Sequence, residues 1–351
     1  MPHLPGKAHR GRSDESNRVS NGVDFTALGL AVGHATDEVG ATGLTVIRGV
    51  DQPLRAGYSV LGRATGARDL LAASPDHLLD GRVDAVLLTG GSAYGLDAAA
   101  GVMRWMEEQS RGFSFRTGVV PIVPAAVVFD LGPLGSTSAR PTADMAYAAT
   151  ADAMPTGVAE GSVGVGTGAT VGKVLGVAHA MKGGFGCAVR RTDDKRISVA
   201  AMVVVNAFGD VRGADGSIIA GARAGAGRFA DATRVLQSGN TASVPRFGEP
   251  PAQNTTLAVV AASIAMTSVE LTQLARAAGA AFYRRITPAG SSADGDIIFA
   301  VSPLEGKRGA VFAPMIIEAL AVAALEEAIE RAVRLARGRE GTPGLADGNA
   351  N

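Results

Sequence analysis

Cysteine is all but missing from this 351-residue chain, which also holds a single tryptophan and only 5% aromatic residues. One thiol, Cys187, cannot form an internal disulfide, so the fold must rest on its core, and a reducing, cytoplasmic setting is expected. Histidine is scarce too. His3, His9, His34, His77 and His179 show no metal-ligand spacing, so neither a metal nor another cofactor is expected. Net charge is absent as well: 33 basic residues balance 33 acidic ones, which removes any general pull toward nucleic acid or an anionic membrane. The longest charge-free apolar runs, at 118–129 and 256–269, are shorter than the roughly 18 residues a membrane helix needs. The N-terminus lacks an apolar signal core, so residues 1–20 read as a disordered arm and 338–351 as an equally unstructured tail.

Glycine is present in excess, with 47 residues or about 13% of the chain against an ordinary ~7%. These glycines follow no G-x-y period, which excludes collagen and leaves backbone geometry as their reason. Between the tails, residues 21–337 read as one layered domain, α+β or α/β, in which β-rich and helical runs alternate without an internal repeat. DAVLLTGG (84–91) predicts a buried strand and 94–112 the helix after it; 119–131, broken by prolines, predicts a bent or edge strand, and 142–154 an alanine-rich helix. ISVAAMVVVNAFGDV (197–211) is the most strand-like run, with both faces covered, and its apolar core ends on Asn206. Residues 212–253 read as a long irregular connection. TTLAVVAAS (255–263) and DIIFAVS (296–302) predict strands; TSVE (267–270) predicts a capping box opening a helix to about Arg285, and 313–337 predicts a long amphipathic helix.

Several familiar motifs nearly fit. Gly164-Val-Gly166-Thr-Gly168-Ala169 matches a relaxed dinucleotide fingerprint, but no strand precedes it. Gly172-Lys173 resembles the end of a phosphate loop, yet Thr167 stands at the first glycine and Val174 follows the lysine. GGSAYG (90–95) has Tyr94 where a nucleophile elbow needs glycine. Cys187 has no evident base and reads as a small packed hydrophobe.

The junction Asn254-Thr255-Thr256 is more informative, because a proline-broken loop passes there straight into a buried strand. Were the backbone cut before Thr255, the new α-amino group, with an ordinary pKa of ~7.7–8.0, would share a residue with a β-hydroxyl. Base and nucleophile would then come in one amino acid, with no histidine required; the plainer alternative is a turn into a strand. Asp294 and Asp296, at i and i+2 before a strand, can point the same way from an extended backbone and together address a threonine hydroxyl and an ammonium. The plainer alternative here is a solvated acidic turn.

Seven blocks resemble, in consistent order, the self-processing N-terminal-nucleophile amide hydrolases that include L-aminopeptidase D-esterase/D-amidase, β-aminopeptidases and nylon-oligomer (6-aminohexanoate) endohydrolase. They are 32–47, 87–105, 119–131, 166–176, 203–211, 254–261 and 294–301. The resemblance implies a four-layer αββα sandwich, self-cleaved between Asn254 and Thr255 into an α chain of 254 residues and a β chain of the remaining 97. It further implies that Thr255 is the nucleophile of an acyl-enzyme, that Asn206 donates to the oxyanion, that Lys173 tunes charge beside the nucleophile, and that Asp294 and Asp296 orient Thr255 and its ammonium. A substrate-binding tyrosine of that family falls on Phe129, whose ring cannot donate a hydrogen bond, so the role is lost or passes to Tyr94 or water.

The expected activity is amide hydrolysis, as an aminopeptidase or 6-aminohexanoate (nylon) oligomer hydrolase acting on a small peptide or ω-amino-acid oligomer. A homo-oligomer of αβ units, a tetramer built as a dimer of dimers, is expected with it. An ornithine-acetyltransferase-like acyltransferase, which would need an amino acceptor, stays open, as does a non-catalytic nucleotide-binding or scaffold protein using the 160–176 glycines.

Overall fold

A computed structural model describes residues 22–348 except 133, 226, 240–253 and 307–313. Two sheets stack at its centre. The first runs in the order Leu30–Asp37, Thr42–Gly49, Ala85–Thr89, Ala125–Val127, Ala67–Arg68, and the second in the order Gly184–Arg191, Ser198–Asn206, Thr255–Ala262, Ile297–Pro303, Leu54–Val60, Arg82–Val83. Within the second sheet only the pair Thr255–Ala262 and Ile297–Pro303 is parallel.

Side-chain alternation divides the apolar residues of the sheets among three large cores, and a fourth, small cluster gathers Val174, Phe208, Ala222 and Ala232. Ala200, Met202, Val204, Leu257 and Val259 face the first sheet and meet Ile47, Val86 and Leu88. The intervening Ala201, Val203, Val205, Ala258 and Val260 face helices Ser268–Arg285 and Pro314–Arg334. On the other side, Leu44, Val46 and Leu87 pack beneath helices Ala99–Glu108 and Ala143–Ala151 through Val102, Met106 and Ala146. The result is the four-layer αββα sandwich that the resemblance implied. Strands covered on both faces must be apolar on both, which explains why these runs show no polar alternation.

Helix boundaries follow local chemistry. Thr267 and Glu270 form the expected reciprocal capping box, and at the far end Arg284 and Arg285 complement the helix dipole and pair with Glu326 and Glu330 of the neighbouring helix.

Two expectations are corrected. The irregular connection from 212 contains a strand, Ile218–Ala220, and a helix, Ala232–Gln237. Both are tied to the buried Asp210, whose two oxygens accept from the N–H groups of Ala222 and Ala232. Residues 338–348 are likewise ordered. Asp347 accepts from the N–H groups of Gly338 and Gly344, the Lys182 N–H donates to Pro343, and Leu345 packs against the core. The predicted N-terminal arm, 1–20, and the 240–253 part of the connection lie outside the described residues.

Candidate active site

Thr255 opens a central strand, and directly across from it stands Asn206, which closes the neighbouring one. Residues in register on adjacent strands share a face of the sheet. The glycine-rich segment then folds over this end: the N–H groups of Gly172 and Lys173 bond to Gly209 and Phe208, which brings the Lys173 ammonium to Oδ1 of Asn206 at 2.9 Å and to its carbonyl at 3.2 Å. Asn206 Oδ1 also accepts from the Thr170 N–H at 3.0 Å, while Nδ2 donates to the Phe129 carbonyl at 3.0 Å. Backbone partners on both sides thus fix which way this amide points.

On the opposite flank, Asp294 forms a parallel bridge with Asn254. The Gly295 N–H donates to the Asn254 carbonyl oxygen at 3.0 Å, and the Thr255 hydroxyl donates to the same oxygen at 2.6 Å. Thr255 is 4% exposed. Asp296 accepts from the Thr256 N–H at 2.6 Å and from Gly290 at 2.9 Å; Asp294 accepts from Ser291 at 2.9 Å. The Asp296 carboxylate therefore holds the backbone beside Thr255, while that of Asp294 holds its own turn. The threonine hydroxyl donates to the Asn254 carbonyl rather than to either aspartate, a change from the expected geometry: Asp294 closes the turn 291–294, its carboxylate on the Ser291 N–H. Residues 61–66 cross above, with the N–H groups of Leu61 and Gly62 on the Asp296 carbonyl and that of Ala64 on Asp294.

Burial sets the electrostatics. It pushes Asp296 up to about 7, with the Asp294 charge adding to the rise, and it pulls Lys173 down to about 7 against the opposing pull of Asp294. Groups poised near neutrality can take or give a proton at little cost. Behind them sit two residues that the sequence did not single out. Asp130, raised by burial to about 6, accepts from the Gly91 N–H and the Thr42 hydroxyl. Lys182, lowered by burial to about 7, donates to the carbonyls of Gly166, Thr167 and Ala169.

That last arrangement bears on the glycine loop. A phosphate cradle presents N–H groups, whereas this loop turns carbonyls toward an ammonium and uses the N–H groups of Gly166, Thr167 and Ala169 in its own turns. Cys187 is buried, with its thiol pKa raised by burial, as suits a packed hydrophobe. Among the described residues no cluster of His, Cys, Asp and Glu suits a metal ion, and no helix is long and apolar enough to cross a membrane.

A cleft of about 250 Å3 opens at Thr255, with Thr65, Ser92, Val127, Phe129 and Asn254 in its walls. Phe129 thus serves twice, by its side of the cleft and by its carbonyl. Tyr94 does not line the cleft; it is 62% exposed, with the Arg140 guanidinium 4.1 Å above its ring.

Comparison with known proteins gives this geometry a family. The description of peptidase family S58 matches residues 27–346. An uncharacterized aminopeptidase of Mycobacterium tuberculosis is 40% identical over 242 residues, which are 66% of this chain and 64% of that protein's length. The 6-aminohexanoate-oligomer endohydrolase of an Agromyces species is 32% identical over 286 residues, covering 79% of this chain and 74% of that protein. Among solved structures, the L-aminopeptidase D-Ala-esterase/amidase of Ochrobactrum anthropi, described as a variant of the Ntn hydrolase fold, superposes with a TM-score of 0.62. It is 22% identical over 92% of this chain and 90% of that one, a likeness of fold.

Proposed function

This chain belongs to peptidase family S58, and from that premise we propose that it is an amide hydrolase which makes its own nucleophile by cutting the bond between Asn254 and Thr255. The observation that carries the reading is the Asn254 carbonyl oxygen, held at once by the Thr255 hydroxyl at 2.6 Å and the Gly295 N–H at 3.0 Å. Attack by Thr255 Oγ1 on that carbonyl carbon forms a C–O bond, and the Gly295 N–H stabilises the developing oxyanion. The C–N bond then breaks, the hydroxyl proton passes to the leaving nitrogen, and water resolves the ester.

The product is a threonine with a free α-amino group, base and nucleophile together. Lys173 is a buried cation whose charge acts on Asp296 and is acted on by Asp294; a new ammonium at Thr255, beside the Thr256 N–H that Asp296 holds, would add a second positive charge opposite the two carboxylates. In the substrate reaction Thr255 attacks the amide carbonyl, its amine takes the proton, and Asn206 Nδ2 is the donor for the oxyanion. Lys173 fixes that amide through Oδ1, and Asp294 and Asp296 hold the strand end. The substrate is a small peptide or an ω-amino-acid oligomer, in line with the aminopeptidase and oligomer-hydrolase names of the relatives, and the working unit is a homo-oligomer of αβ pairs.

Purified protein is expected to run on a denaturing gel as ~26 and ~10 kDa bands, the smaller beginning with Thr255, and to release product with no amino acceptor supplied. Thr255→Ala should give one uncut 35.4 kDa chain without activity. Uncut wild-type protein that hydrolyses amides would overturn the mechanism, and turnover only with an acceptor would favour the acyltransferase.

A further inference from the structure

The self-cleavage reading makes Asn254 the acyl unit of the first amide this site cuts, so the space around its side chain is where a substrate's acyl unit would lie. Asn254 is 3% exposed, yet neither Oδ1 nor Nδ2 has a hydrogen-bond partner among the described residues. Thr65 Oγ1, on the segment that crosses above the strand end, is buried and unpartnered too, and both residues line the same cleft. Buried polar atoms are nearly always paired in native structures, and orphans concentrated at one cavity need a reason. The lining contains no Asp, Glu, Lys or Arg among the described residues, so an ionised side chain of the acyl unit entering it would lose water without gaining a counter-charge. A neutral polar group has an orphan hydroxyl to bond.

We propose that Thr65 is a specificity-determining residue of an uncharged acyl-side subsite, and that its hydroxyl hydrogen-bonds a neutral amide carried by the acyl unit. This rests on Thr255 as nucleophile and goes beyond it by naming what the neighbouring cleft selects. The surroundings suit the role. Gly66 accepts from the Val127 N–H and Ala64 donates to Asp294, so the backbone on either side of Thr65 is anchored to a strand of the first sheet and to the segment leading into Ile297–Pro303. The half-buried Phe129 and the buried Val127 supply an apolar wall. A site built to bond a polar group discriminates strongly against an isostere that lacks it, because the protein's own group is then left unpaired.

The probes are asparagine p-nitroanilide and leucine p-nitroanilide, alike in size and in their α-amine and different in the side-chain amide. Processed wild-type enzyme is expected to favour the asparagine compound by at least about tenfold in kcat/KM, the ratio set by one hydrogen bond to a buried group. Thr65→Val should shrink that ratio about tenfold and Thr65→Ser should restore it. Preference of the wild type for leucine, turnover of neither compound by processed protein, or a Thr65→Val ratio equal to the wild-type ratio would each overturn the assignment. Failure of the underlying reading would look different: the wild-type chain would remain uncut, or Thr255→Ala would stay active.

Discussion

Gly295 offers the most direct test of how the strand end is built. A Cβ added there would lie 2.7 Å from both the Ala64 carbonyl oxygen and Thr255 Oγ1. Ordinary contact for such atoms begins near 3.4 Å, so Gly295→Ala demands a displacement of about 0.7 Å, at an overpacking cost of ~1–3 kcal/mol. The Ala64 carbonyl belongs to a backbone held by the Ala64 N–H on Asp294; the threonine side chain is the freer of the two and should yield. Its hydroxyl would then leave the Asn254 carbonyl, and misplacing a reacting atom by about 1 Å can cost ~100-fold in rate. The assay follows the conversion of the full chain into its two bands over time after expression, with circular dichroism and a thermal melt on the same sample. Gly295→Ala is expected to accumulate as folded precursor with scission slowed ten- to a hundredfold. Folded Gly295→Ala that processes at the wild-type rate would refute both the crowding argument and the proposed part of Gly295 in the cut at Thr255.

Lys182→Met should lower stability by ~3–5 kcal/mol, because three buried carbonyls lose their shared donor and Asp130 loses a nearby cation; an unchanged urea midpoint would contradict a structural role for this lysine. In the uncut Thr255→Ala background, the raised carboxyl groups of Asp296 and Asp130 contribute stability that is full below their ordinary value of 3.8 and is lost as pH rises through about 6 to 7. Lys173 and Lys182, lowered from 10.5, contribute stability that is full above that value and is lost as pH falls through about 7. The contribution of this cluster is therefore expected to be smallest near neutrality. Adding Asp296→Asn should flatten the decline on the acid side in denaturant titrations from pH 4 to 7, and superimposable curves with and without it would count against the assignment.

What could be read from the sequence follows from what is local. The capping box at Thr267 and the doubly covered strands ending at Asn206 and beginning at Thr255 carry their signals in neighbouring residues. The helix Ala232–Gln237 does not: Asp231 caps it at a positive φ of 57° and the distant Asp210 holds its first N–H. The C-terminal turn is fixed in the same way, by contact with Lys182 and the last long helix. Asp294 and Asp296 were visible as a pair, but alternation along a strand could not report that the carboxylate of the first closes a turn onto the Ser291 N–H. Thr65 carried no signal at all, since an unpartnered hydroxyl is recognised only when the chain around it is closed.

The strand order of the second sheet has a consequence for assembly. A cut at residue 254 would leave Thr255–Ala262 and Ile297–Pro303 on one fragment, lying between Ser198–Asn206 and Leu54–Val60 of the other. Each piece would fill the gap in its partner's sheet. Unfolding, a first-order event for the intact chain, would become a dissociation whose midpoint depends on protein concentration. Once denatured, the halves would have to find each other by diffusion to close the sheet, whereas the uncut chain closes it within one molecule.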